Sequence, residues 1–255
     1  MATTVLGLKT FAASDPVDYN EINDNYNKID NGVKTAMQGR AAHNLLDNSD
    51  FTNPVNQRGI ANSATIERYT YFLDRWSTGS TAGTITLDSN GLIFNVLISQ
   101  KIDPAILRTG TTVTAAAKFS DGTLVIVSGV VNLSTSWHWL SSPVVNGCQI
   151  GLADGTSDGI PYVRIGNEYG KTLAWAALYE GAYDASTLPA YQPKGYAAEL
   201  AECQQRFHVY ATENARPSDA LDCCPPMILA PGQTVITQGT MTVDGKTLYY
   251  NSTDL

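Results

Sequence analysis

Hydrophobic positions follow a helical pattern near the amino terminus of this 255-residue chain and an extended pattern further on. In the helical part, apolar residues recur at alternating spacings of three and four: Tyr19, Ile22, Tyr26, Ile29 and Val33. This spacing is the heptad pattern of a coiled-coil seam, and Asn, Asp and Lys fill most of the positions between. Asp15 followed by Pro16 is a typical start for such a helix.

Two interpretations of this helix are open. Ile22 and Ile29 occupy one kind of seam position and Val33 the other, and β-branched residues at both kinds favour association of three copies. The alternative is a single amphipathic helix that lies on the core of its own chain. Because the apolar stripe is narrow and its flanks are rich in asparagine, we favour the first interpretation. The sequence therefore predicts a homotrimeric coiled-coil stalk.

From Ile66 onward the apolar period becomes two, which is typical of β-strands. Turn dipeptides separate the short runs: Asn90-Gly91, Asp121-Gly122, Asn146-Gly147 and Asp244-Gly245. Residues 171–181 are apolar on both faces, with Leu173, Trp175, Ala177 and Tyr179 expected on one of them, so this strand should be central. The pattern predicts an all-β fold, an antiparallel jelly-roll-like sandwich.

Residues 196–209 predict a short helix after the sandwich, with Leu200, Cys203, Gln204 and Phe207 facing the protein. A hairpin at Asp244-Gly245 should close the chain. We therefore expect three parts: a stalk segment at 1–43, the β-sandwich at 44–183, and a helix and hairpin extension at 184–255.

Composition excludes several partners. Twenty-four acidic residues against sixteen Lys and Arg give a net charge of −8, which repels nucleic acid and anionic lipid. No apolar run approaches the roughly 20 residues of a transmembrane helix, so no membrane insertion is expected. The first eleven residues lack a signal-peptide pattern, which predicts synthesis in the cytoplasm. The four cysteines lack the spacing of a metal site, and we expect no cofactor.

Several blocks of sequence resemble the carbohydrate-binding-module-like β-sandwich of bacteriophage tail fibre and baseplate appendage proteins. Residues 44–59 (NLLDNSDFTNPVNQRG) and 71–76 (YFLDRW) resemble the entry to that domain. Residues 178–181 (LYEG), 189–191 (PAY) and 199–207 (ELAECQQRF) resemble its closing strand and the helix that follows. Residues 7–11 and 15–23 are similar to the virion-attachment ends of appendage proteins from phages of Gram-positive bacteria.

This resemblance implies a non-enzymatic virion protein that attaches the particle to a host. Residues 1–15 would dock into other virion proteins, and the sandwich would bind a glycan or protein on the bacterial surface. A purely structural virion protein, such as a head fibre, collar or baseplate spacer, is the alternative.

Sugar binding by a sandwich needs aromatic rings that stack on a pyranose, with polar groups nearby. Trp137 and Trp139 are the first candidates, in a serine-rich stretch that we expect to be a loop. Tyr162, Arg164 and Tyr169 are the second choice. The competing interpretation is that one or both tryptophans fill the core.

A third function, a polysaccharide-modifying hydrolase, depends on Ser157 within residues 155–159 (GTSDG), with Asp184 and His208 following in the required order. A nucleophile elbow needs a helix directly after the serine, yet residues 160–165 predict a strand, so we expect no catalysis. The same loop offers the carboxylates of Asp154 and Asp158 to calcium. Metal-free hairpin loops are commonly rich in Asp and Gly, and we therefore predict no metal.

Overall fold

The structure is a computed structural model that describes residues 18, 20, 22–29, 42–60, 63–134, 138–156, 159–210, 237–243 and 246–252. The chain divides into two compact units. One contains Met1–Ala42 and Tyr183–Gln192, and the other contains His43–Ala182 and Pro193–Leu255.

The larger unit contains two antiparallel sheets of six strands each. The first sheet comprises, in spatial order, β1 (Ser63–Ile66), β4 (Gly83–Asp88), β5 (Gly91–Phe94), β12 (Thr172–Glu180), β7 (Thr112–Phe119) and β8 (Leu124–Val130). The second sheet comprises β2 (Tyr71–Leu73), β3 (Trp76–Thr78), β6 (Ile98–Lys101), β11 (Tyr162–Asn167), β10 (Cys148–Gly155) and β9 (His138–Ser141). The prediction of an all-β, antiparallel sandwich is confirmed.

The core lies between the two sheets and is built from alternate residues of both. Phe94 and Phe119 come from the first sheet, and Phe72 and Trp76 come from the second; all four are buried. Phe51, from the segment that precedes β1, packs against Trp76 with ring centroids 5.1 Å apart. Burial of aromatic side chains of this size is the main source of stability in a sandwich.

Strand β12 lies between β5 and β7, as expected for the run that is apolar on both faces. Its register shifts between Leu173 and Trp175, which marks a β-bulge. Leu173 belongs to the core cluster before the bulge, whereas Ala176 and Leu178 belong to it afterwards. The prediction that Leu173 shares a face with Trp175, Ala177 and Tyr179 is therefore wrong, since Leu173 faces the core together with Ala176 and Leu178. One extra residue exchanges the faces of everything that follows it.

The predicted turns lie between paired strands. Asn90-Gly91 connects β4 to β5, and Asp121-Gly122 lies between β7 and β8. Asn146 and Gly147 have φ values of 51° and 75°, as a type I′ turn requires, and they join Val145 to Cys148. Asp244-Gly245 lies outside the described residues. The strands on either side of it, β14 (Thr237–Val243) and β15 (Lys246–Ser252), pair as predicted.

Helix α1 includes residues 22–29, and the backbone N–H of Ile22 donates to the carbonyl of Asp18. Helix α2 (Tyr196–Gln204) ends before the predicted Val209. Phe207 instead begins β13 (Phe207–Tyr210), which pairs with β15 in a three-stranded sheet. The pairing partner lies some forty residues later in the chain, so local periodicity does not reveal it. No helix in the described residues is long and apolar enough to cross a bilayer.

The segment that precedes β1 extends the first sheet along β12. The backbone N–H of Leu45 donates to the carbonyl of Leu178, and that of Phe51 donates to Ala174, each at 2.9 Å. The Asn44 side chain donates to the carbonyl of Ala176 and accepts from the N–H of Leu178. This segment thus occupies the edge of β12 that the short β5 leaves open.

Asn48 ties this segment to the rest of the unit. Its side-chain amide donates to the carbonyls of Val55 (2.9 Å) and Asp74 (2.8 Å), and its side-chain oxygen accepts from the Val55 N–H (2.7 Å). Its own N–H donates to Glu199 Oε2 on α2 at 2.6 Å. Its carbonyl accepts from the Trp76 indole at 2.8 Å. Asn48 has a φ of 49°, a conformation that asparagine tolerates better than most residues.

Gln57 connects the same region to β13. Its N–H and its side-chain amide donate to the two carboxylate oxygens of Asp74, and the amide also donates to the carbonyl of Phe207. We call Asn44, Asn48, Gln57, Asp74 and Glu199 the polar network. The network joins three blocks of the sequence resemblance, 44–59, 71–76 and 199–207. Those blocks therefore have a structural role.

Candidate functional site

Four strands of the second sheet present a polar and aromatic face on the side away from the core. Ile98, Ile150, Val163 and Ile165 are buried and belong to the core cluster. Because side chains alternate along a strand, the residues between them point outward. Tyr162 on β11 pairs with Lys101 on β6, and the next outward residue, Arg164, pairs with Ser99. Ser99 pairs in turn with Ser77 on β3.

Trp139 lies on the same face, three strands away from Lys101 and two from Tyr162. Ala153 of β10 pairs with Trp139 on one side and with Tyr162 on the other. The two aromatic rings meet edge to face across it, with centroids 5.5 Å apart and an interplanar angle of 84°. Arg164 Cζ lies 4.1 Å from the centroid of the Trp139 ring, which is cation–π geometry. Three candidate residues are therefore brought into one cluster.

Beside this cluster is a groove with a cavity volume of about 360 Å³. Its aromatic residues are Tyr69, Tyr71 and Tyr162, and its cationic residues are Lys101 and Arg164. The remaining described lining residues are small or polar, except for Leu97: Ser77, Thr78, Gly79, Ser80 and Ser99. We call this feature the groove. Aromatic rings and hydroxyl groups around a depression are suited to a ligand that has both apolar and hydroxylated faces.

Four described cations of the sandwich unit form ion pairs, whereas those of the groove, like the exposed Arg68 and Arg108, have no acidic partner among the described residues. Arg75 pairs with Asp47, Lys171 with Asp121, Lys194 with Glu202, and Arg206 with Asp103. Across the part of the chain that the structure describes, neither Lys101 nor Arg164 has an acidic partner. The described lining of the groove also includes no Asp or Glu. The groove is therefore a positively charged site on a protein whose net charge is −8.

The other two candidate residues are not part of this cluster. Tyr169 lies in the turn after β11, at the opposite end of that strand from Tyr162. Tyr169 is 70% exposed. Its ring packs over the Asn146-Gly147 turn, because a Cβ on Gly147 would lie 2.3 Å from the ring. Trp137 lies outside the described residues. Trp139 belongs to strand β9 and is half-buried on the outer face, so it does not fill the core.

Sequence reasoning missed Tyr69, Tyr71 and Lys101. Tyr71 belongs to a block of the sequence resemblance, and Lys101 is the last residue of the alternating run of β6, so the sequence contained a signal for these two residues. What the sequence does not show is that β3, β6 and β11 are neighbours, because residues far apart in the chain form these pairs.

The calcium candidate Asp154 is fully buried and engaged by the protein. Its carboxylate accepts from the N–H groups of Asn132 (2.6 Å) and Gly155 (3.1 Å), and His138 Nδ1 lies 2.6 Å from Oδ1. These contacts fix the start of β9 next to β10. Asp158 lies outside the described residues. Within the described ranges, no group of three or more His, Cys, Asp or Glu side chains is placed to hold a metal.

The hydrolase candidate Ser157 also lies outside the described residues, as does the side chain of His208. The prediction of an extended segment after Ser157 is confirmed, since β11 is a strand where a nucleophile elbow requires a helix. The carboxylate of Asp184 accepts hydrogen bonds from Ser186 and Thr187, which lower its pKa to about 2. Asp184 thus acts as a turn-stabilising residue.

Helix α1 exposes part of the predicted seam. Tyr26 is 68% exposed and Ile29 is 41% exposed in the single chain, whereas Ile22 is half-buried. Tyr19 and Val33 lie outside the described residues.

Comparison with known proteins yields no match to any family model, any curated protein or any solved structure. The resemblance to phage appendage proteins therefore stays a prediction.

Proposed function

We propose that this chain is a bacteriophage virion appendage protein of the tail fibre or baseplate receptor-binding type. It attaches the particle to a bacterial surface, with a surface glycan as the ligand of the groove. The observation that carries the ligand part is the cluster of Trp139, Tyr162 and Arg164 beside the tyrosine-lined groove. Aromatic rings accept the apolar face of a sugar ring, and the serine hydroxyls can bond its hydroxyl groups.

The virion part of the proposal rests on the sequence resemblance alone. We propose that residues 1–15 contact other virion proteins and that the protein is located in the virion.

We also propose that the sandwich is jelly-roll-like. Consecutive strands pass repeatedly from one sheet to the other, which supports this description: β2 and β3, β6, and β9 to β11 belong to the second sheet, and the intervening strands belong to the first.

Trimerisation through a coiled coil of α1 completes the proposal. The exposure of Tyr26 and Ile29 supports it, because burial against two further copies would remove this apolar surface from water. Three linked sites gain avidity through effective concentration, which a weak single sugar site needs. Light scattering of the full chain should give three times 27.4 kDa. A monomer would contradict the stalk, and a trimer that persists after deletion of residues 1–40 would assign the contact to another region.

The second candidate function is a structural virion protein without a receptor, and the third is a hydrolase. A glycan array probed with the full chain, followed by binding to intact bacteria, separates the first two. We expect binding to a restricted set of glycans and cells, and loss of that binding in the Tyr162→Ala variant. If no glycan and no cell surface binds the chain, the attachment function is wrong and the structural alternative gains support. If Tyr162→Ala binds as the parent does, the ligand lies elsewhere on the protein.

A further inference from the structure

We infer that the groove takes an anionic saccharide, and that Lys101 and Arg164 hold its carboxylate or phosphate group. This inference rests on the proposed function and adds the chemical class of the ligand. It starts from the juxtaposition of two cations, which have no acidic partner among the described residues, and a set of aromatic rings on one face of the second sheet.

The sheet register brings the two cationic side chains within reach of one anion. Lys101 is directly opposite Tyr162, and Arg164 is the next residue on the same face of β11. Such diagonal neighbours have Cα atoms about 7–8 Å apart in an antiparallel pair. Both side chains are long and half-buried, so their charged ends can converge over the groove while their stems remain on the sheet.

Arg164 is held in place before any ligand arrives. Its guanidinium lies over the Trp139 ring, and the same ring meets Tyr162 edge to face. Contact with the ring uses only one side of the guanidinium, so N–H groups remain that can bind a planar carboxylate or a phosphate. Because the side chain is already ordered, less conformational entropy is lost on binding.

The charge distribution points to an anion as the missing partner. Lys101 and Arg164 are half-buried in a groove whose described lining has no carboxylate, although acidic residues outnumber basic ones in the chain. The net charge of −8 repels anions, but salt at physiological concentration screens charges that are more than about 8 Å away. Direct contact with the two cations then decides affinity. The Ser77 and Ser99 hydroxyls line the groove and are hydrogen-bonded to each other at 3.2 Å, and their remaining lone pairs can accept from a sugar hydroxyl next to the anionic group.

Calorimetry with paired probes tests this inference. The carboxylate pair is oligogalacturonate and its methyl ester, and the phosphate pair is phosphomannan and enzymatically dephosphorylated mannan. The glycan array carries additional acidic glycans, each beside its neutral counterpart. We expect the acidic member of at least one pair to bind about tenfold or more tightly than its neutral partner, with affinity that falls as salt rises. Whichever pair shows the difference identifies the source of the anion.

Four substitutions assign the effect to these residues. Lys101→Gln and Arg164→Gln should each lower affinity for the acidic probe about tenfold and leave the neutral partner almost unaffected. Arg164→Lys, which keeps the charge, should retain part of the affinity. Lys118→Gln on the first sheet makes the same change in net charge and should bind like the parent, since Lys118 Nζ donates to the Gly122 carbonyl away from the groove.

The outcomes separate the two proposals. Equal binding of acidic and neutral partners, or unchanged binding by Lys101→Gln and Arg164→Gln, overturns the anionic ligand but leaves a neutral glycan and the attachment function standing. An equal loss in Lys118→Gln shows that net charge alone matters and also overturns the inference. If no glycan binds, both the proposal that the chain attaches to a glycan and the inference of an anionic ligand are wrong.

Discussion

The polar network and the groove are both rich in polar and aromatic side chains, yet their polar groups are used in opposite ways. In the network, the single residue Asn48 forms hydrogen bonds with four others: Val55, Asp74, Trp76 and Glu199. In the groove, Lys101 and Arg164 have no acidic partner among the described residues, and the tyrosines remain partly exposed. A buried polar group that is fully bonded stabilises one conformation, whereas an exposed and uncompensated one is available to a ligand.

The comparison also bears on the sequence resemblance. Three of its blocks meet in the network, so they report how the chain enters the sandwich and how α2 packs on it. Of the groove residues, only Tyr71 belongs to such a block. These blocks therefore coincide with residues that hold the fold together, and the ligand has to be inferred from the groove itself.

The electrostatic settings of the two carboxylates near α2 differ as well. Burial raises the pKa of Glu199, and the N–H of Asn48 offsets only part of this effect. Burial alone would also raise the pKa of Asp47, but Arg75 and Lys194 lower it below its usual value. Of these two carboxylates, Glu199 is thus the one whose ionisation opposes folding.

The largest expected effect is the loss of stability in Asn48→Ala. The substitution leaves the N–H and carbonyl of Val55 and the carbonyl of Asp74 without their partner, and it places alanine at a φ of 49°. Each buried group left unpaired costs about 1–3 kcal/mol, so we expect about 3–5 kcal/mol less free energy of unfolding. Denaturant unfolding measures this loss.

Asn53→Ala is the matched control, because this asparagine is exposed and should change stability by less than about 0.5 kcal/mol. The protein that remains folded in Asn48→Ala should bind ligand like the parent. Equal stability of the two variants would contradict the structural role of the network.

The next effect is on binding and should occur without a matching loss of stability. Trp139→Ala and Tyr162→Ala each remove one ring of the cluster, and we take as the scale the contribution of about 1–3 kcal/mol that an aromatic side chain makes when a nucleobase stacks on it. We therefore expect roughly 5- to 150-fold weaker binding of the best array glycan, measured by calorimetry. Tyr169→Ala removes an exposed ring outside the cluster and should bind like the parent. Weaker binding in Tyr169→Ala alone would relocate the ligand to the turn after β11.

The smallest effect is the pH dependence of stability in Glu199→Gln, which keeps an oxygen acceptor for the Asn48 N–H. A carboxyl group with a raised pKa in the folded state costs stability as pH rises above its ordinary value of 4.5, because the unfolded chain ionises first. The cost is complete once the pH exceeds the raised value. We expect the parent to lose stability relative to Glu199→Gln between acid and neutral pH, measured by unfolding at several pH values. The opposite trend would mean that the ionised form is the one the fold stabilises.

Local signals were sufficient for some features and not for others. The Asn146-Gly147 turn was predictable because positive φ values are a property of those residue types. The bulge between Leu173 and Trp175 and the end of α2 at Gln204 depend on pairing with distant strands, which no local period records. Trp139, Tyr162 and Arg164 were identified individually by residue type. Their association, and that of Lys101 with them, depends on sheet order and became evident only in the fold.

Oxidative footprinting of tyrosine and tryptophan side chains, with and without the tightest glycan from the array, tests the central claim most directly. If the groove is the binding site, the glycan should protect Tyr69, Tyr71, Tyr162 and Trp139 from oxidation. Tyr169 and Tyr196 are exposed and lie outside the described lining, so their oxidation should be unchanged. Protection of Tyr169 or Tyr196 without protection of the groove residues would contradict the account.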